Sequence, residues 1–177
     1  MTNKLFEELA KIGVEKKAKS HQIIVHFGEK TDALFLIKSG GFILKHVHPK
    51  TMKERAINFF TPNFHALASV SQAYIFNETS KYFLKTFTNT VYIEIKKNKV
   101  EQFLRDSSFS QDLQSYGLRT MVDKNELRAN LLSLDSTEML EHLNKQYPQI
   151  LLEVPSKYIA DFLGITPQWL SKLKHKL

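Results

Sequence analysis

The chain reads as an α+β protein. An N-terminal set of antiparallel strands closes into a small barrel or sandwich, a long helix follows, and a helix-turn-helix ends it. Three observations predict this. Short β-rich runs recur between residues 21 and 100, separated by Gly, Pro and Asn turn signals. Beyond residue 98 the apolar residues recur instead at threes, fours and sevens. The segment Ser156–Leu177 carries the apolar spacing of two short crossed helices about one glycine.

Taken in order, Leu5, Phe6, Leu9 and Ile12 predict a short amphipathic helix ending near Gly13, followed by the basic run Lys16–Ser20. Strands are expected at Gln22–Phe27, Ala33–Lys38, Phe42–Val47, Arg55–Phe60, Lys81–Phe87 and Thr90–Ile95. Gly28, Ser39-Gly-Gly41, His48-Pro49 and Thr61-Pro62-Asn63 stand between them. Most of the 13 phenylalanines fall in this region, which suits a barrel interior. Val100, Phe103 and Leu104 open the helical part. Phe109, Leu113, Tyr116, Thr120, Leu127, Leu131 and Leu134 then form a stripe that we read as a seam for a second subunit, with Gln114, Asp123 and Asn125 off it. A further helix, Ser136–Tyr147, is capped at Ser136 and stops before Pro148.

In the last segment Ile159, Leu163, Ile165, Leu170 and Leu173 are the positions two crossed helices must bury, and Ala160 permits their close approach. Gly164 falls where the turn needs positive φ. Thr166 is placed to cap the second helix and Pro167 to occupy its first turn. The second helix of such a unit reads the DNA major groove. The side opposite Leu170 and Leu173 then faces DNA, so Thr166, Pro167, Gln168, Ser171, Lys172, Lys174 and His175 are the expected DNA-binding residues, Lys174 and Lys176 toward phosphates. Gln168 suits adenine, and Lys172 suits guanine or phosphate.

Charge agrees with an anionic partner: the formal net charge is +7 and the pI about 9.5. The surplus is not confined to one end. Residues 166–177 hold lysines and no acid, residues 135–165 are net acidic, and residues 1–134 are basic. The chain has no cysteine, which excludes disulfides, iron–sulfur clusters and thiol chemistry. No apolar run reaches a membrane span and no signal-peptide pattern opens the chain, so a cytoplasmic place and no membrane partner are expected.

The order of strands, long helix and helix-turn-helix resembles the Crp/Fnr family of transcription regulators. Phe27-Gly-Glu29 with Leu34–Gly40 resembles the first strand-turn-strand of that family's cyclic-nucleotide-binding β-roll. Thr90–Ile95 resembles its last strand, and Tyr147 through Leu177 is similar to the ending of a branch that stops soon after the recognition helix. The resemblance implies a double-stranded β-helix (jelly roll) over 1–106, a dimerisation helix over 107–134 and a DNA-binding domain over 135–177. It also implies a homodimer on double-stranded DNA, no catalytic residue and no resident cofactor or metal.

One departure stands out. Cyclic-nucleotide-binding members carry a Gly-Glu pair and, about a dozen residues on, an Arg that forks onto the cyclic phosphate. Here Asn63–Tyr74 contains no glycine, and Ser80, beside Lys81, falls where the Arg belongs. A buried phosphate without a guanidinium fork or a donor-rich turn loses its hydration uncompensated, so cAMP and cGMP are not expected ligands. Phe60, Phe64, Leu67 and Tyr82, with Ser80 and Lys81, mark the expected effector pocket, which holds an unidentified apolar effector or its own side chains.

His46-Val-His48 after Gly40, with Glu54 and His65, approaches the metal-ligand spacing of cupin enzymes, which share the β-helix fold. Pro49 breaks the strand and Glu54 falls too far on, so these histidines are expected on a hairpin exterior. A cupin-like metal enzyme and a scaffold that does not bind DNA are the alternatives. No Ser/His/Asp or paired-carboxylate arrangement is identifiable. Trp169 is expected to pack at the edge of the helix-turn-helix rather than stack on bases.

Overall fold

The computed structural model describes residues 1–175; Lys176, one of the expected phosphate contacts, lies outside them. Helix α1 (Asn3–Lys11) opens the chain, capped by Thr2, whose hydroxyl accepts from the Leu5 N–H. Eight strands follow: β1 (Val14–Ala18), β2 (Ile23–Val25), β3 (Ala33–Ser39), β4 (Phe42–Val47), β5 (Glu54–Phe60), β6 (Leu67–Ala68), β7 (Tyr82–Thr86) and β8 (Thr90–Lys96). A short helix, α2 (Ser71–Phe76), lies between β6 and β7. Then come α3 (Lys97–Asp106), α4 (Ser110–Ser133), α5 (Ser136–Gln146), α6 (Pro148–Glu153), α7 (Ser156–Leu163) and α8 (Pro167–Lys174).

The strands form two antiparallel four-stranded sheets, in the orders β1-β8-β3-β6 and β2-β7-β4-β5. Strand β3 is covered on both faces, which is why it is buried without alternation from Ala33 to Ile37. Between the sheets, Phe35, Phe42 and Tyr92 meet edge-on with centroids 5.2–6.1 Å apart. Val25, Ile37, Leu44, Phe60 and Leu84 complete that layer. On the outer face of the first sheet, Leu34, Leu36, Ile93 and Ile95 bury Leu5 and Leu9 of α1, Val100 and Phe103 of α3 and Leu113 of α4. On the outer face of the second, Ile43, Ala56 and Phe59 join Met139, Leu140, Leu143, Ile159, Phe162 and Leu170 from the C-terminal helices.

Several expectations need correction. The expected strands begin only after the basic run, but Lys16, Lys17 and Ala18 of that run belong to β1, which pairs with β8 from Val14↔Glu94 to Ala18↔Thr90. The phenylalanines do not all fill the barrel. Phe59, Phe64 and Phe87 lie in the outer cluster with the C-terminal helices. The helical segment breaks at Ser107–Phe109 into α3 and α4. The cap of α5 is Asp135, one residue before Ser136. Asp135 accepts from the Thr137 and Glu138 N–H groups, and Glu138 reciprocates to the Asp135 N–H.

The expected subunit seam is the largest correction. Leu113 and Leu127 are buried within their own chain, against the first sheet and the C-terminal helices respectively. The exposed apolar stripe of α4 is a different one: Leu118, Met121, Val122 and Leu132, with Asn125 within it. These positions recur at threes, fours and sevens on the opposite side of the helix. No helix among the described residues is long and apolar enough to cross a membrane.

Candidate nucleic-acid interface

Helices α7 and α8 make the helix-turn-helix. Ile159, Ala160, Leu163, Leu170 and Leu173 are buried as the spacing required, and Ile165 is half-buried. Gly164 takes φ +71°, and its N–H donates to Asp161 O at 3.2 Å. Thr166 Oγ1 accepts from the Trp169 N–H at 3.1 Å, and Pro167 fills the first helical position. A β-carbon at Gly164 meets the Arg55 guanidinium at 2.6 Å in addition to its conformational cost. Gly164→Ala is therefore expected to lower stability by about 1–2 kcal/mol, read as a shift in the urea midpoint at constant slope.

The residues expected to face DNA come out together on the surface. Pro167, Gln168, Ser171, Lys172 and His175 are all exposed, and Gln168, Ser171, Lys172 and His175 share one face of α8 by helical spacing. Two expected contacts are already engaged. Thr166 spends its acceptor on the cap, and Lys174 Nζ donates to Ser156 Oγ at 3.0 Å. Trp169 is 42% exposed, and its indole N–H reaches Ser136 Oγ at 3.4 Å, which ties α8 to the start of α5.

The unit is held on the second sheet by polar contacts as well as by its core. Asp161 Oδ2 accepts the Ala56 N–H at 3.1 Å and pairs with Lys45 Nζ at 3.0 Å. Burial alone would lower the Lys45 ammonium, but Asp161 and Glu54 outweigh it and hold it above the ordinary lysine range. The Tyr158 hydroxyl and His21 Nδ1 are hydrogen-bonded at 2.9 Å.

The expected effector pocket does not assemble. Phe60 and Tyr82 belong to the layer between the sheets, Phe64 to the C-terminal cluster, and Leu67 packs on the first sheet's outer cluster. Ser80 is buried, but its hydroxyl is closed on the start of β7: it donates to Tyr82 O at 2.7 Å and accepts from the Tyr82 N–H at 3.0 Å. Its backbone clasps the Gly28 turn, with Gly28 N–H to Ser80 O and Ser80 N–H to Glu29 O both at 2.7 Å. Lys81 is exposed.

The four cupin-like positions also separate. His46 packs edge-on against Tyr82, and His48 Nδ1 accepts from the Lys50 and Thr51 N–H groups at 3.3 and 3.2 Å. Glu54 pairs with Lys45 and Lys85. His65 is hydrogen-bonded to Asp123 on α4 at 3.4 Å. Among the described residues no group of three His, Asp or Glu side chains converges.

His65 couples the strand region to α4 and carries a pH dependence. Burial, aided by the Lys124 ammonium, pushes its imidazole down from 6.5 to about 4, against the pull of Asp123. The unfolded chain takes up this proton near pH 6.5 and the folded chain only near 4, so stability falls as pH drops through that window. The expected loss between pH 7 and pH 5 is about 2 kcal/mol, and it is flattened in His65→Phe. Urea unfolding at the two values checks it.

No protein-family model and no curated protein matches the sequence. Solved structures do. The c-di-GMP-responsive global regulator CLP of Xanthomonas campestris superposes with a TM-score of 0.70 at 16% identity, covering 99% of this chain and 91% of that chain. FixK2 of Bradyrhizobium japonicum gives 0.77 at 12% identity over 94% of this chain and 84% of that one. The catabolite activator protein of Thermus thermophilus gives 0.59 at 14% identity over 100% and 84%. The architecture is thus the Crp/Fnr-like one, with its β-roll followed by helices that carry the helix-turn-helix.

Proposed function

We propose that this chain is a Crp/Fnr-type transcription regulator, not an enzyme, that binds double-stranded DNA as a homodimer without responding to cAMP. The observation that carries the reading is α8. A capped helix presents Gln168, Ser171, Lys172 and His175 on one exposed face, while its other side is fixed in the core by Leu170 and Leu173. The N-terminal residues of such a helix are the ones that reach base edges. The working division is a β-roll over 1–106, a dimerisation helix over 107–134 and a DNA-binding domain over 135–177.

The exposed stripe on α4 supports the dimer. Leu118 and Leu132 are 66% and 89% exposed, an expensive arrangement for a lone chain and the ordinary one for a helix that meets its own copy. Asn125 lies seven residues from each of them, where a paired polar group would fix helix register. A symmetric dimer calls for a palindromic site with half-sites one turn apart, about 34–36 Å. Selection of bound DNA from a random pool at fixed salt tests the function. Recovery of a palindrome is expected, and recovery of no enriched sequence by a folded protein would refute it.

The closed Ser80 hydroxyl and the outward Lys81 support the absence of a cAMP response. Calorimetric titration with cAMP and cGMP is expected to give no saturable heat, and low-micromolar binding of either would overturn this part.

A further inference from the structure

The β4–β5 hairpin lies beside the turn of the helix-turn-helix. Arg55 stands at the start of β5, and its guanidinium rests against Gly164: a β-carbon there would come within 2.6 Å of one Nη and 3.4 Å of Cζ. The placement is fixed from the neighbouring residue. Ala56 donates its N–H to Asp161 of α7, and Asp161 also holds Lys45 of β4. Arg55 is thereby anchored next to the turn that leads to Thr166, the cap of α8. The acids of this corner are already engaged, Glu54 with Lys45 and Lys85 and Asp161 with Lys45. Arg55 is exposed and, among the described residues, its guanidinium takes part in no ion pair or hydrogen bond. Lys50 and Lys53 of the same hairpin are likewise exposed and unpaired, and exposed Lys81 adjoins it, with Val47 N–H to Lys81 O at 3.4 Å. The groove that Arg55 shares with Arg128, between β5, α4 and α7, has no carboxylate in its lining. Cations gathered without counter-charges favour a polyanionic partner.

We propose that the β4–β5 hairpin is a second DNA contact outside the helix-turn-helix, in which Arg55 donates to a backbone phosphate of the duplex that α8 reads. The inference rests on the regulator reading and adds a contact from the strand region to it. Duplex DNA carries about one charge per 1.7 Å of its axis, so an α8 seated in the groove brings phosphates to the turn that precedes it, where Arg55 stands. The chemistry favours the backbone over a base. Arg55 lies beside the turn, whereas Gln168 and Lys172 hold the reading face of α8. A planar guanidinium forks onto phosphate oxygens. Such a contact fixes the position of the protein on the duplex and carries no sequence information. It also ties the strand region to the DNA directly, through a residue next to the one that holds α7. An acidic protein surface is the competing partner for these cations, and the test separates the two.

The test is titration of the full chain with its selected duplex and with a scrambled duplex over a range of salt concentrations, with melting followed in parallel. Arg55→Gln is expected to bind both duplexes about 3- to 10-fold more weakly, and to lower the slope of log affinity against log salt by about 0.9 per bound subunit. Its selected sequence and its melting temperature should be those of the parent. Arg55→Lys should keep the slope. Lys99→Gln, an exposed lysine on α3 over the other sheet, should keep both slope and affinity and so controls for total charge. Lys50→Gln with Lys53→Gln, on the exposed end of the hairpin, should lower the slope without touching Arg55, which keeps the test decisive should Arg55→Gln melt lower. The proposal is overturned if the parent binds DNA and neither set of hairpin changes alters affinity or slope, the result expected of a protein-facing surface. It is equally overturned if Arg55→Gln keeps the slope and relaxes selectivity at one base pair, which makes Arg55 a base reader, or if Lys99→Gln loses as much as Arg55→Gln. A parent that selects no DNA at all refutes the regulator reading, a result distinct from a parent that binds and an Arg55 variant that matches it.

Discussion

A chain carrying Leu118→Glu and Leu132→Glu is expected to sediment as a monomer and to lose at least a hundredfold in affinity for its selected DNA site. Both side chains are exposed and neither belongs to a core cluster, so the monomer should keep its melting temperature. In a symmetric dimer the same stripe meets itself, so each glutamate would face its own copy, and like charges at a closing apolar seam are strongly unfavourable. Without the dimer each subunit holds one half-site, and specific affinity falls toward the non-specific range, typically about 10³-fold or more weaker. Leu127→Ala is the contrast. Leu127 is buried with Met139 and Leu143, so its truncation should cost about 2–5 kcal/mol of stability and leave the stripe intact. A double glutamate variant that remained dimeric in sedimentation at tens of micromolar would remove α4 as the interface.

That contrast explains why the sequence misleads on α4 and not on the helix-turn-helix. Periodicity along α4 reveals an apolar stripe, but not whether its own chain or a second one covers it. Leu113 and Leu127 are covered from within, by Leu34 and Ile95 on one side and by the C-terminal helices on the other. The outward stripe is thinner and is interrupted by Asn125, so it is the weaker signal. The helix-turn-helix was legible because its constraints are local. Gly164 at positive φ, Thr166 as cap and Pro167 in the first turn each follow from neighbours within a few residues. Strand β4 was legible to the residue for a similar reason, a β-rich run bounded by Gly41 and His48. Strand β1 was not. Val14–Ala18 holds two lysines and a glutamate, and it is a strand because β8 offers an edge and because Lys16 meets Glu94 at 2.7 Å and Glu15 meets Lys38 at 2.6 Å, all distant in sequence. Lys124 shows the limit for sites. In the sequence it is one more lysine on a helix, and only the packing of α4 brings its ammonium to 4.6 Å from the centre of the Phe60 ring.

Replacing Lys172 by alanine is expected to weaken specific DNA binding by roughly 5- to 150-fold while leaving the melting temperature unchanged. The two halves of this expectation come from one observation. Lys172 is exposed, makes no hydrogen bond or ion pair among the described residues, and lies one turn along α8 from Gln168 on the face away from Leu170. It therefore contributes little to the fold, and its charge is free for a partner. Lys174 is the internal control, since its ammonium already donates to Ser156 at 3.0 Å and its loss should disturb the start of α7 as well. The salt dependence separates the two roles Lys172 can take. A phosphate contact, once removed, reduces the slope of log affinity against log salt by about 1 and weakens all sequences alike. A contact to guanine instead leaves the slope nearly unchanged and relaxes selectivity at one base pair of each half-site. Gln168→Ala should act in the second way only, because an uncharged amide releases no counterion. An affinity for the selected site that is the same with and without Lys172 would mean that α8 does not lie in the groove with this face inward, and the reading of the helix-turn-helix as the DNA-contacting unit would fail with it.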